Sequence, residues 1–133
     1  MSAIGTNGQL QFMVYEGRGT AEVFCDFLQQ LMLGASQPIL LVVDGHSIHK
    51  AKIIQDYVRS TDEKLELHFL PPYSPQLNPD EQVWKNVKER VAKQKPTDKF
   101  SLRILLQAAL VRLQGLPEIV RGFFRHPDCA VLI

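Results

Sequence analysis

The sequence has few of the features that would mark it as secreted, stapled or membrane-bound. It contains two cysteines, Cys25 and Cys129, which lack metal-ligand spacing, and Cys25 falls inside a helical pattern. That excludes a disulfide framework and a thiolate metal site, leaving two reduced, structural thiols. No apolar run, Ile39–Val43 included, exceeds five residues, far below the ~20 residues a membrane-crossing helix needs. Residues 1–10 have no basic stretch followed by an apolar one, so no signal peptide is read. A cytoplasmic protein without a membrane partner is expected. Repeats, interdomain linkers and low-complexity segments are missing too. A chain of 133 residues with 45% hydrophobic content suits one domain, 1–133, around one core.

Net charge is small, +1, and decides nothing about partners, but its distribution is uneven. Residues 1–44 carry −3, 45–84 carry −2 and 85–133 carry +6. The densest cluster is Lys85, Lys88, Arg90, Lys93, Lys95, Lys99 and Arg103. Such a cluster suits phosphate contact; a solvated helix face is the plainer reading of a charge run alone.

What is present is an alternation of short strands and amphipathic helices. Thr6-Asn7-Gly8 signals a turn between the end of one strand and a second over Gln9–Tyr15. Thr20 can cap a helix with apolar positions Val23, Phe24, Phe27, Leu28 and Leu31, ending at Gly34. Ile39–Val43 is continuous and apolar, the pattern of a strand buried on both faces, and Asp44 follows it. Ile48, Ala51, Ile54, Tyr57 and Val58 predict a second helix, and Leu65–Leu70 a third strand. Four prolines within residues 71–79 then force a stiff loop. Asn78 as cap and Pro79 as first helical residue predict a helix to about Lys95 with an apolar stripe of Val83, Trp84, Val87 and Val91. Another helix follows over Leu102–Leu113, closed by Gly115, then a short helical segment after Pro117 and an irregular tail.

Two acids stand where chemistry is done in α/β proteins. Asp44 ends a strand, the sheet edge at which ligands bind, and Glu81 lies in the first turn of a helix delivered by the proline loop. Carboxylates so placed can converge on a hard cation such as Mg²⁺. Structural roles compete. Glu81 stands three residues after Asn78, as in a capping box, and Asp80 beside it suits the helix dipole. Asp44 before Gly45 is also a normal turn aspartate, and His46 and His49 at this spacing are more often turn or surface histidines than ligands.

The combination shifts the balance. The segment Leu41-Val42-Val43-Asp44-Gly45-His46-Ser47-Ile48-His49, followed by Leu67–Leu70 and the run from Pro71-Pro72 through Ser74-Pro75-Gln76-Leu77-Asn78-Pro79-Asp80-Glu81 to Trp84, closely resembles the DDE transposases of mariner-related bacterial insertion elements. The likeness extends from about Gly5 to about Arg90. It implies an α/β, ribonuclease H-like mixed sheet flanked by helices. It also implies metal-dependent DNA strand cleavage and transfer with Mg²⁺ (or Mn²⁺), with Asp44 as second and Glu81 as third metal-binding catalytic acid. His49 matches a histidine common after the second acid, Gly45 replaces the usual asparagine, and Asp80 stands at a variable position.

The same likeness implies that the first catalytic aspartate, and the strand bearing it, lie upstream of everything matched; Glu16, Glu22 and Asp26 match no catalytic position. The expectation is therefore the downstream part of a split or truncated transposase, inactive alone, with DNA as partner through Lys85, Lys88, Lys93, Lys95 and Lys99. The alternative is a non-enzymatic remnant that binds DNA or oligomerises. Without the first strand, one edge of Ile39–Val43 is unpaired. The N-terminal hairpin or a second copy could cover it, with a homo-oligomer the preferred expectation, and an upstream transposase polypeptide could complete the nuclease centre.

Overall fold

A computed structural model describes residues 1–72 and 74–125. The expected irregular tail lies outside the described residues. The chain resolves into two compact units, one of Met1 and Met13–Pro75, the other of Ser2–Phe12 and 76–133. Among the described residues the strands form two two-stranded sheets.

The first unit holds helix α1 (Ala21–Leu33), strand β3 (Ile39–Val43), the short helix α2 (Ser47–Lys50), α3 (Lys52–Ser60) and strand β4 (Leu65–Phe69). Helix α1 starts as its sequence dictates: the Thr20 hydroxyl accepts the Val23 N–H at 3.3 Å, and Phe24, Cys25, Phe27, Leu28 and Leu31 form its buried face. It packs on α2 and α3. Leu28 and Ile54 are fully buried, worth about 1.5–3 kcal/mol each relative to exposure. The helix expected over Ile48–Val58 is broken at Ala51, whose backbone is extended (φ −61, ψ 153). The Lys50 carbonyl there accepts the Gln55 side-chain amide instead, at 2.8 Å.

Strands β3 and β4 pair in parallel, Ile39 opposite Leu65 through Val43 opposite Phe69. The expectation that β3 is buried on both faces is corrected here: Leu40 is 60% and Val42 39% exposed. The reason lies in β4, whose Leu-Glu-Leu-His-Phe alternates strictly. Paired residues of parallel strands share a face, so Leu40 and Val42 lie on the polar face with Glu66 and His68, which bond each other at 3.1 Å. Among the described residues, β3 pairs with no strand but β4.

The second unit joins the antiparallel hairpin β1 (Ser2–Ile4) and β2 (Leu10–Phe12) to α4 (Asp80–Lys93), α5 (Lys99–Gln114) and α6 (Pro117–Phe123). The strand expected over Gln9–Tyr15 is shorter because only Leu10–Phe12 faces a partner. Gly8 closes the turn at φ +92, with Pro117 so near that a Cβ would meet the Pro117 carbonyl oxygen at 2.3 Å. The core of this unit is Leu10, Val83, Val87, Val91, Ala109, Leu110, Leu113 and Val120, with Trp84 packed against it. The stripe read on α4 is thus its buried face. Helix α5 is capped by Asp98, which accepts the Ser101 N–H at 2.6 Å. No helix among the described residues is long and apolar enough to cross a membrane.

Candidate active site

Asp44 follows the last residue of β3, where the apolar strand gives way to a turn. Its Oδ1 accepts the His46 N–H at 2.9 Å, the aspartate turn that the Asp44-Gly45 pair suggested. The chain then enters α2, with His46 at the cap position and its Nδ1 accepting the Ile48 N–H at 3.2 Å. One turn of helix brings His49 back over Asp44. The His49 Nδ1 lies 3.0 Å from Asp44 Oδ1 and 3.0 Å from the Asp44 carbonyl oxygen. Both partners only accept, so Nδ1 carries the proton and is shared between them.

The two side chains differ in access. His49 is only 15% exposed and Asp44 54%, and the His49 ring lies 4.4 Å from that of Phe24 on α1, tilted by 52°. The carboxylate therefore has one oxygen tied to the turn and the histidine, while Oδ2 makes no hydrogen bond among the described residues. A carboxylate oxygen is a hard ligand of the kind a divalent cation takes. Behind His49, a groove of about 490 Å³ is lined by Lys50, Ile54, Val58, Leu67 and Phe69 among others, with the Lys50 ammonium 5.2 Å above the Phe69 ring.

Glu81 lies on α4, one residue further into the helix than its neighbour Asp80, and the two have opposite surroundings. The helix starts later than the sequence suggests. Pro79 takes the cap position with helical angles (φ −63, ψ −20) and no side-chain cap bond. Asn78 still holds the turn, its Oδ1 accepting the Asp80 N–H at 3.0 Å and its carbonyl the Glu81 N–H at 3.1 Å. At about 100° per residue, Asp80 falls on the inward side with Val83, Val87 and Val91, whereas Glu81 is exposed together with Lys85 and Lys88 at i+4 and i+7. The Glu81 carboxylate makes no capping-box bond back to Asn78.

Asp80 accepts the Ser2 hydroxyl of β1 on both oxygens, at 2.8 and 2.9 Å. Burial pushes its pKa up to about 7, against the lowering effect of the Ser2 bond, with the Glu81 charge adding to the rise. It is a structural acid, engaged inward. The remaining lysines are exposed but dispersed: Lys93 ends α4, Lys95 follows it at φ +50, and Lys99 begins α5. Lys85 and Lys88 alone of the five expected DNA contacts share a helix face with Glu81.

The structure thus puts each expected acid at the surface of its own unit. Among the described residues no three His, Cys, Asp or Glu side chains form a group able to hold a metal ion. Residues 1–103 match the family model of the DDE superfamily endonucleases. The chain belongs to this superfamily. DDE endonucleases generally use a divalent metal for transposase-type DNA cleavage, and a half-exposed carboxylate at the end of a strand, like that of Asp44, is suited to one. Among solved structures, the chain is similar to the catalytic core domain of BIV integrase. The TM-score is 0.60 at 23% identity, over 83% of this chain and 70% of that one. The fold is therefore the integrase-core, ribonuclease H-like α/β fold. No curated protein matches.

Sequence reading left two residues of this DDE domain out of the site. His49 carried a signal, since Asp44 and His49 are five apart across a Gly-His turn. Ser2 carried none, being 78 residues from Asp80.

Proposed function

We propose that this chain is part of the catalytic domain of a transposase related to those of mariner-like bacterial insertion elements, with Asp44 and Glu81 as metal-binding acids for Mg²⁺ or Mn²⁺. The observation that supports this most is the half-exposed Asp44 carboxylate at the end of β3, with one oxygen held and the other without a hydrogen bond. A bound divalent cation would supply Lewis-acid activation of a water or hydroxyl and offset charge on the leaving oxygen. The protein's own contribution is to hold Asp44 against the turn, present Glu81 at the surface, and offer Lys85 and Lys88 to phosphates. Lys93, Lys95 and Lys99 add to a sequence-indifferent attraction for DNA.

Two carboxylates alone leave a divalent metal under-coordinated, so in this reading the chain alone is expected neither to cleave nor to join DNA. The test combines Mn²⁺ binding, followed by electron paramagnetic resonance, with plasmid nicking. Weak Mn²⁺ binding lost in Asp44→Ala and Glu81→Ala, without nicking, is the expected result. Vigorous nicking that disappears in Asp44→Ala would mean that a third ligand lies in this chain. DNA affinity by fluorescence anisotropy should fall steeply with salt, and the slope should drop by about 2 in a Lys85→Ala/Lys88→Ala variant.

A second reading, a non-catalytic module that oligomerises, draws on the single-sided pairing of β3 and the exposure of Leu40 and Val42. An open apolar edge is a template for another strand. Light scattering at micromolar concentration separates the two: an oligomer disrupted by Leu40→Lys/Val42→Lys supports association through β3, and a monomer removes it.

A further inference from the structure

We infer that His49 is the positioning residue of the Asp44 carboxylate: a ring wedged between α1 and the end of β3 that sets which oxygen is left to face a ligand. The inference rests on the reading of Asp44 as a metal-binding acid, but its structural half can be tested without metal.

A carboxylate at the end of a strand, more than half exposed, rotates freely about its χ angles unless something holds it, and an aspartate turn holds it by one oxygen only. Here the same oxygen that accepts the His46 N–H at 2.9 Å also lies 3.0 Å from His49 Nδ1. Two donors on one oxygen restrict rotation of the carboxylate and leave Oδ2 as the oxygen without a hydrogen bond among the described residues. The Nδ1 proton is shared with the Asp44 carbonyl at 3.0 Å, so the ring reads the backbone and the side chain of one residue at once.

The ring is itself fixed. It is 15% exposed, rests 4.4 Å from the Phe24 ring, and is carried by a helical turn whose His49 N–H donates to the His46 carbonyl at 3.0 Å. A merely space-filling side chain would need the stack on Phe24 and no donor; a merely solvated histidine would need neither. The observed ring has both. Outer-sphere partners of this type set ligand orientation, and their loss costs about 10- to 100-fold in metal affinity.

The two functions of the ring can be separated by substitution. His49→Phe keeps the aromatic body against Phe24 and deletes the donor, whereas His49→Asn can return an N–H donor near the Nδ1 position and deletes the ring. Long-range ¹H–¹⁵N spectra of the parent chain should give His49 as the Nδ1–H tautomer, with a signal that moves in Asp44→Ala. Thermal unfolding should leave His49→Phe near the parent. Mn²⁺ affinity should fall about tenfold or more in His49→Phe and recover, at least in part, in His49→Asn. An Nε2–H tautomer, or a His49→Phe chain that binds Mn²⁺ like the parent, would overturn the inference. If Asp44→Ala leaves Mn²⁺ binding unchanged while the tautomer and its response stand, the metal reading of Asp44 fails and the positioning of its carboxylate by His49 does not.

Discussion

In the unit built on β3 and β4, the candidate acid is gripped: His46 and His49, both close in sequence, tie one oxygen of Asp44. In the unit built on α4, the Glu81 carboxylate accepts no hydrogen bond among the described residues, and the grip falls on Asp80, through a serine 78 residues away. The difference comes from the element each acid sits on. A residue just past a strand has no period to orient it and depends on side chains that fold back. A residue on a helix is oriented by the helix, and a shift of one position rotates it by about 100°, enough to send Asp80 inward and Glu81 out.

The largest test of this contrast is pH. The Asp80 pKa is near 7 in the folded unit against 3.8 unfolded, so the folded state binds the proton more tightly. Its contribution is fully present below pH about 4 and is lost as pH rises through 7, an effect on the order of 4 kcal/mol at most. Denaturant titrations from pH 4 to 8 should show the α4 unit losing stability as pH rises. Asp80→Asn should remove that slope while still accepting the Ser2 hydroxyl. A slope surviving in Asp80→Asn would mean the buried acid lies elsewhere.

Next in size are the two glycines with positive φ. Gly8→Ala forces both a left-handed alanine at φ +92 and a Cβ at 2.3 Å from a backbone oxygen, and should cost on the order of 3 kcal/mol. Gly17, in the other unit, has φ +79 with nothing within 4 Å; Gly17→Ala should cost about 1 kcal/mol from backbone strain alone. Chemical denaturation of both variants measures the gap, and equal costs would mean that the Gly8 turn can move away from Pro117.

The smallest effect is expected at Gly45, where the resemblance calls for asparagine. An added Cβ meets only the flexible end of Lys50, Nζ at 3.4 Å and Cε at 3.7 Å. Gly45→Asn should change stability by less than about 0.5 kcal/mol, read by the same denaturation. A large loss would show that the turn holding Asp44 is tighter than its contacts indicate.

Much of the architecture was legible locally. The Thr20 cap, the Val83, Val87 and Val91 stripe, the strand before Asp44 and the proline loop rest on period, capping chemistry and missing N–H groups, all of which act over a few residues. The proline loop and its neighbouring acids also carried the family. Three features differ from the sequence reading, two where a side chain of a neighbouring element takes part and one at a helix boundary. The helix after Asp44 breaks at Ala51, where the Gln55 side-chain amide donates to the freed Lys50 carbonyl. The face of β3 is exposed because β4 brings Glu66 and His68 alongside Leu40 and Val42. Helix α4 begins at Asp80 because Pro79, though helical in angle, stands in the cap position.

By itself, the sequence determined which elements form and which acids end a strand or begin a helix, because hydrophobic period and backbone chemistry are local. Tertiary structure alone decided which acid of a neighbouring pair is outward and which oxygen of a carboxylate is free. Those depend on partners such as Ser2, Phe24 and His49, which only folding brings within hydrogen-bond or van der Waals reach.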